Sequence, residues 1–195
     1  MGALTPLQLA AYAVPYKERP ADLPMAGRQQ VRITAGNGTV TLPAIEVRRR
    51  AARIGYTVAV GKEVPDIRLV SVCFCNLPRR SPLFGNGTPP AAAADYRTGY
   101  YADIPLSAAA RYSGTAYLPE NLQGEVASIV SQQDKNRDNA PEHATYLLLR
   151  AVRGSKVLDY TVYLGENNTS NFDVRGNTSH TLDITILGDN EVDTR

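Results

Sequence analysis

Thr145-Tyr146-Leu147-Leu148-Leu149-Arg150-Ala151-Val152-Arg153-Gly154-Ser155-Lys156-Val157-Leu158-Asp159-Tyr160-Thr161-Val162-Tyr163-Leu164 is the most regular stretch of the chain. Residues 145–152 form an apolar strand, Gly154-Ser155 a turn, and residues 157–164 a second strand whose Leu158, Tyr160, Val162 and Leu164 share one face. The same period of two returns downstream, where His180, Leu182, Ile184 and Ile186 alternate with Thr181, Asp183 and Thr185 between residues 178 and 187, the pattern of a half-buried antiparallel strand. Upstream, residues 67–76 are apolar on both faces, with Leu69, Cys73 and Cys75 on one and Val70, Val72 and Phe74 on the other. Such a strand is central and covered on both sides. Strands separated by turns, with no long helix, predict an all-β fold built as an antiparallel β-sandwich.

Outward from these strands the signals weaken. Ile45 to Val60 reads as one long strand with a bulge near Arg50, where the alternation changes phase before Ile54, Tyr56, Val58 and Val60. Gln30 to Thr34 and Thr39 to Leu42, joined by Gly36-Asn37-Gly38, predict a hairpin. Leu7 to Val14 can make two helical turns, and Pro15, Pro20 and Pro24 punctuate the connector after them. Residues 77–113 exceed the length of an ordinary connection, so they are either a functional loop or carry a short strand or helix.

The 195 residues carry 21 Lys plus Arg against 19 Asp plus Glu, 43% hydrophobic and 21% charged residues. Such a chain buries a core and is not disordered. A net charge of +2 provides no broad positive field, which argues against nucleic acid as a partner. Arg48, Arg49, Arg50 and Arg53 form the one basic cluster, best read as strand-face arginines that reach solvent or neighbouring carboxylates. No stretch approaches the roughly 20 apolar residues of a membrane span, and the first residues lack the pattern of a signal peptide.

Catalytic patterns are lacking. There is no Gly-x-Ser-x-Gly elbow, no phosphate-cradling glycine loop and no His-Glu-x-x-His pair. Of the two histidines, His180 lies on an apolar strand face and His143 in a polar loop, so no catalytic, cofactor or metal residues are assigned and no enzyme is expected. Cys73 and Cys75, two apart on one strand, read as reduced and buried, because a bond between them would strain the backbone. Asp134-Lys135-Asn136-Arg137-Asp138-Asn139 begins like a calcium loop, but Asn139 and Thr145 stand where that loop needs Gly and a bidentate Glu, so a surface turn is expected.

Several segments, in order, resemble the Bacteroidetes fimbrillin-type surface proteins, the subunits of type V pili. They are Leu23-Pro24-Met25-Ala26-Gly27; the strand from Val47 to Val60 containing Arg50-Ala51-Ala52-Arg53-Ile54; Val72 to Pro78 with Ser81-Pro82-Leu83-Phe84; Tyr117-Leu118-Pro119-Glu120-Asn121-Leu122-Gln123-Gly124; and the ending from Tyr160 to Asn168, Asn171 to Asn177 and Leu182 to Ile186. The resemblance implies a transthyretin-like, Greek-key β-sandwich over residues 63–195, with residues 1–62 as a partial β region left from a first sandwich. It also implies a non-catalytic subunit, exported to the cell surface and outer membrane as a lipoprotein. Other fimbrial subunits or surface ligands of host or bacteria would be its partners. Relatives polymerise by strand exchange. Here the strand at 178–187 is followed by only Gly188 to Arg195, polar and charged, so an anchor, tip or accessory subunit is expected over a stalk subunit. The alternative is a carbohydrate-binding module, with tyrosines of the Asp95 to Tyr117 region, Tyr100 and Tyr101 among them, as a sugar platform. The absence of tryptophan counts against it.

Overall fold

The computed structural model describes residues 13–15, 22–32, 39, 41–84 and 87–194. Two four-stranded sheets carry the architecture. The first has the order β11-β10-β5-β7, formed by β5 (Ile67–Pro78), β7 (Tyr96–Asp103), β10 (Tyr146–Arg153) and β11 (Lys156–Tyr163). The second has the order β14-β13-β4-β8, formed by β4 (Ala51–Val60), β8 (Arg111–Pro119), β13 (Ser179–Gly188) and β14 (Glu191–Thr194). Smaller pairings join β1 (Ala13–Pro15) to β6 (Arg80–Pro82), β2 (Met25–Ala26) to β3 (Arg48–Arg49), and β9 (Asn121–Glu125) to β12 (Asn171–Val174).

The two large sheets face each other over one core. Ile54 and Val58 of β4, Leu118 of β8 and Ile184 and Ile186 of β13 pack with Val72 and Phe74 of β5 and Leu147 and Leu149 of β10. Across the interface the Tyr56 and Phe74 rings meet edge to face, 5.6 Å between centroids. Each such side chain contributes roughly 1.5–3 kcal/mol by leaving water. The protein is therefore an all-β sandwich. A smaller cluster of Ile129, Ala144 and Phe172, with Val126, Ala140 and Tyr163 packed against it, is separate from the main core.

The hairpin over 145–164 forms as the alternation dictates: Leu147 opposes Val162 and Leu149 opposes Tyr160, with Gly154 at φ +60° in the turn. Leu158, Tyr160, Val162 and Leu164 are all buried on the core face. In β5 the face assignment changes. A bulge at Val70 and an irregularity between Phe74 and Leu77 insert one residue each, so Leu69 joins Val72, Phe74 and Leu77 in the core. Cys73 and Cys75 lie on the opposite face, free and buried, with their sulfurs 3.9 Å apart. Strict period-two reading fails because each bulge reverses the parity of the residues beyond it.

Other expectations are refined. The strand read over 45–60 is two, β3 and β4, separated by a bend at Arg50, while residues 45–47 are not strand. Residues 77–113 hold β6, β7, the start of β8 and short 3-10 turns at Ala93–Asp95 and Leu106–Ala108. β13 runs antiparallel to β14 but parallel to β4, because the chain crosses the other sheet before returning beside β4. The polar tail after β13 is itself the strand β14. The hairpin read around Gly36-Asn37-Gly38 lies largely outside the described residues, and its described flanks, 30–32 and 41–42, are not strand. Of the helical turns read over 7–14 only Ala13 and Val14 are described, and both are extended in β1.

The division expected after residue 62 falls on the connection between β4 and β5, two strands whose side chains share the core. An ion pair binds the entry of β4 to the sandwich. Arg50 meets Glu120 at 2.8 Å and donates from Nε to the Pro82 carbonyl at 2.9 Å, while the Gly176 amide donates to Glu120 Oε2 at 2.9 Å. Four segments converge there.

Candidate interaction surface

β13 has ten residues, but β14 pairs only with the segment from Ile184 to Gly188. Among the described residues no strand pairs the outer edge of residues 179–183. Directly beside this half-paired edge, the seam between the sheets opens into two adjoining hollows of about 220 and 140 Å³. Tyr163, Asn168 and Leu182 border both, while Ile54, Leu164 and Val174 give the smaller one an apolar floor.

Two side-chain amides cap the edge of β14. Gln132 Nε2 donates to the Val192 carbonyl at 3.4 Å and Asn168 Nδ2 to the Thr194 carbonyl at 2.9 Å. They occupy acceptors that another strand would use, and so protect that half of the edge. The sequence reading missed β14 and its caps. The turn signal at Gly188-Asp189-Asn190, followed by alternating Glu191 to Thr194, was the available cue.

Lys135 anchors the loop bordering the seam. Its ammonium, on a residue only 8% exposed, donates to the Asn167 and Asn171 carbonyls at 2.6 and 2.7 Å and lies 5.0 Å from the Phe172 ring centroid. Burial pushes its pKa down to about 8, because desolvation disfavours the charged form. The other residues of the expected turn serve the turn itself: Asp134 accepts from Ser131, Asn136 Oδ1 from the Asp138 amide, and Asn139 donates to the Asp134 carbonyl. Among the described residues no group of three or more His, Cys, Asp or Glu converges on a point.

The tyrosines considered as a sugar platform are dispersed. Tyr96 is buried, donates to the Pro90 carbonyl and stacks on His143 at 4.6 Å. Tyr100 turns its ring edge-on to Phe74 and donates to the Tyr117 carbonyl. Tyr112 packs on Tyr56, and Tyr101, 63% exposed, donates to Asp103. Tyr100 and Tyr101 fall where β7 is bulged, Tyr100 at φ +52°, whereas Tyr112 and Tyr117 belong to β8 in the other sheet.

His143 therefore sits in a ring stack. His180 Nε2 meets Thr178 Oγ1 at 2.8 Å, and burial holds its pKa below the usual value. The arginine cluster divides: Arg48 and Arg49 are exposed, Arg53 reaches Ser179, and Arg50 forms the largely buried pair with Glu120. Burial raises the Cys73 thiol to about 12, leaving it an inert apolar group.

The fold and seam define a two-sheet all-β sandwich with a partly open edge. A candidate cell adhesion protein from Bacteroides eggerthii shares this fold, with a TM-score of 0.61 at 13% identity over 95% of this chain and 62% of its own. Lower similarities connect the chain to the tip fimbrial protein Mfa3 of Porphyromonas gingivalis in a C-terminally truncated form (TM-score 0.46, 18% identity, 76% of this chain and 51% of that one). A candidate cell adhesion protein from Bacteroides fragilis gives 0.43 and 14%, over 84% and 50%. The chain spans about half to three-fifths of the length of these structures. A family model described as a domain of unknown function, DUF4906, matches residues 116–184. No curated protein matches the sequence. The all-β sandwich expected from the sequence is thus the fold shared with the Bacteroides eggerthii protein. No helix among the described residues is long and apolar enough to cross a membrane.

Proposed function

We propose that the protein is a non-catalytic subunit of a cell-surface fimbria, exported to the outer membrane and acting in assembly, anchoring or adhesion. The observation that carries this reading is the half-paired edge of β13 beside the apolar-floored seam. A strand from another subunit, laid along residues 179–183, would gain main-chain hydrogen bonds and send alternate side chains toward Ile54, Leu164 and Val174. The sandwich fold shared with the Bacteroides eggerthii protein supports the assignment.

The same geometry favours an anchor, tip or accessory subunit that receives a strand over a stalk subunit that donates one. β13 lies between β4 and β14, and its Ile184 and Ile186 are fully buried. Withdrawing it for exchange would empty the core. Residues 51–194, with both large sheets, act as one folding unit in this reading, and the pieces before residue 51 dock onto it.

Immunogold labelling of the producing cell, with co-purification of sheared fimbriae, tests the proposal. The expected result is the protein on the fimbrial surface or at its base or end. Recovery from the cytosolic fraction, with fimbriae unchanged in a deletion strain, would refute it.

A further inference from the structure

We infer that a cup on the outer face of the β11-β10-β5-β7 sheet, separated from the seam by the end of β11 at Tyr163, binds a neutral saccharide. The cup opens at the start of β10 and the end of β11 and encloses about 650 Å³. Tyr146 and Tyr163, directly opposed across the hairpin, border it with ring centroids 5.4 Å apart and planes inclined at 52°. Both rings are half-buried and braced, Tyr163 edge to face on Phe172 at 5.9 Å and Tyr146 against the Tyr163 ring itself. Around them stand four planar polar groups: the Asn76 amide, the Arg137 guanidinium and the Glu142 and Asp159 carboxylates.

This composition suits a pyranose. A sugar ring has an apolar C–H face, which packs on an aromatic face, and a girdle of hydroxyls that both donate and accept. Planar side chains with two adjacent polar atoms engage neighbouring hydroxyls in pairs. Asn76 is prepared for this: its Nδ2 donates to the Glu142 and Ala144 carbonyls, leaving Oδ1 as an acceptor. Among the described residues the Arg137 guanidinium and the Glu142 carboxylate make no ion pair or side-chain hydrogen bond. Both are exposed and available to a ligand.

Charge selects the class of sugar. Arg137 and Glu142 offset each other, and Asp159 is neutralised by Arg150 through two contacts of 2.8 Å. The rim therefore has no net attraction for a sialic acid or uronate, and a neutral hexose fits it best. Rings already held in place need little ordering on binding.

This inference rests on the adhesion reading and gives it a ligand class. It is tested with the full chain on an array of neutral, sialylated and uronate-bearing glycans, alongside Arg137→Ala, Glu142→Ala and Arg111→Ala, the last on the opposite sheet. Retention of neutral glycans is expected, with half-maximal binding weakened at least about tenfold by each of the first two substitutions and unchanged by the third. Both cup substitutions lie on exposed side chains and should leave the melting temperature unaltered. Tyr163→Phe keeps the ring and should retain binding. No retention of any glycan, retention of acidic glycans only, or binding indifferent to both cup substitutions would overturn the inference. Fimbrial incorporation, scored separately by co-purification, distinguishes failure of the cup from failure of the assembly reading.

Discussion

Removing the carboxylate of Glu120 should cost the sandwich a large share of its stability. Glu120 and Arg50 retain only 9% and 18% of their side-chain exposure, so their charges interact through protein rather than water. Breaking a buried pair by deleting one partner costs about 3–5 kcal/mol, chiefly because the other charge is stranded. Residual solvent access at Arg50 moves the expectation to the lower part of that range. The Gly176 amide loses its acceptor in the same change, a further cost of about 1 kcal/mol. Glu120→Ala is therefore expected to destabilise by about 4–5 kcal/mol. Glu120→Gln retains an acceptor for Gly176 but still leaves the Arg50 charge without a counter-ion, and should cost about 1 kcal/mol less. Urea unfolding followed by far-ultraviolet circular dichroism measures both, with the midpoint falling and the slope unchanged. The Arg50→Met, Glu120→Met double variant should lose less than the two single variants added together, since neither charge is stranded. A loss below about 1 kcal/mol for Glu120→Ala, or strict additivity in the cycle, would refute the argument that this pair fastens the four segments together.

Lys135 makes a pH-dependent contribution. Its folded pKa is depressed to about 8, below the unfolded value, so between these limits the unfolded chain binds more protons and stability rises with pH. The wild-type protein should gain on Lys135→Met as pH climbs from about 8 toward 10, and chemical denaturation at intervals across that window reads the difference; a flat or falling difference contradicts it. Gly165→Ala places a Cβ 1.8 Å from the Asn171 carbonyl oxygen, with backbone on both sides of the clash. A loss of at least about 2 kcal/mol is expected in thermal unfolding, and a neutral result would show that the 165–171 loop yields. Phe74→Ala, in the fully buried centre of β5, should cost about 3–5 kcal/mol, whereas Tyr101→Ala on the exposed bulge should stay within about 0.5 kcal/mol; comparable values for the two would contradict the assignment of β5's core face.

The β10–β11 hairpin was fully legible, because its information is local. An alternating pattern fixes the buried face and a two-residue turn fixes the register. Tyr146 and Tyr163 stand eight residues before Gly154 and eight after Ser155, so even their opposition could have been read. The break at Arg50 showed as a change of phase in the arginine-rich segment. Phe172 and Val174, set among asparagines and serines, could be read as residues that return a polar loop to the core, and both are buried.

Legibility ended where a residue's role depends on a distant partner. The alternation of β5 cannot show that Val70 bulges, because the bulge exists only in the registers with β10 and β7. The five tyrosines near β7 share a neighbourhood in sequence but not in space. Arg50 reads as one of four strand-face arginines bound for solvent or some neighbouring carboxylate, and only the fold chooses, bringing Glu120, seventy residues away, to 2.8 Å. β14, whose one apolar residue is Val192, offers the sequence no more than its turn and a short alternation, and it is a strand because β13 gives it an edge.

What the sequence determined by itself was the class of fold, most of the strands, the buried faces of the regular ones and the absence of familiar catalytic patterns. These rest on period-two hydrophobicity and turn chemistry, which act over a few residues. Tertiary structure alone decided that β4 belongs in the same sandwich as the later strands, that β13 lies parallel to it, and that an edge remains half-paired beside an open seam. Strand order and register are global because each is set by which edges and apolar faces remain to be covered once the other strands are in place.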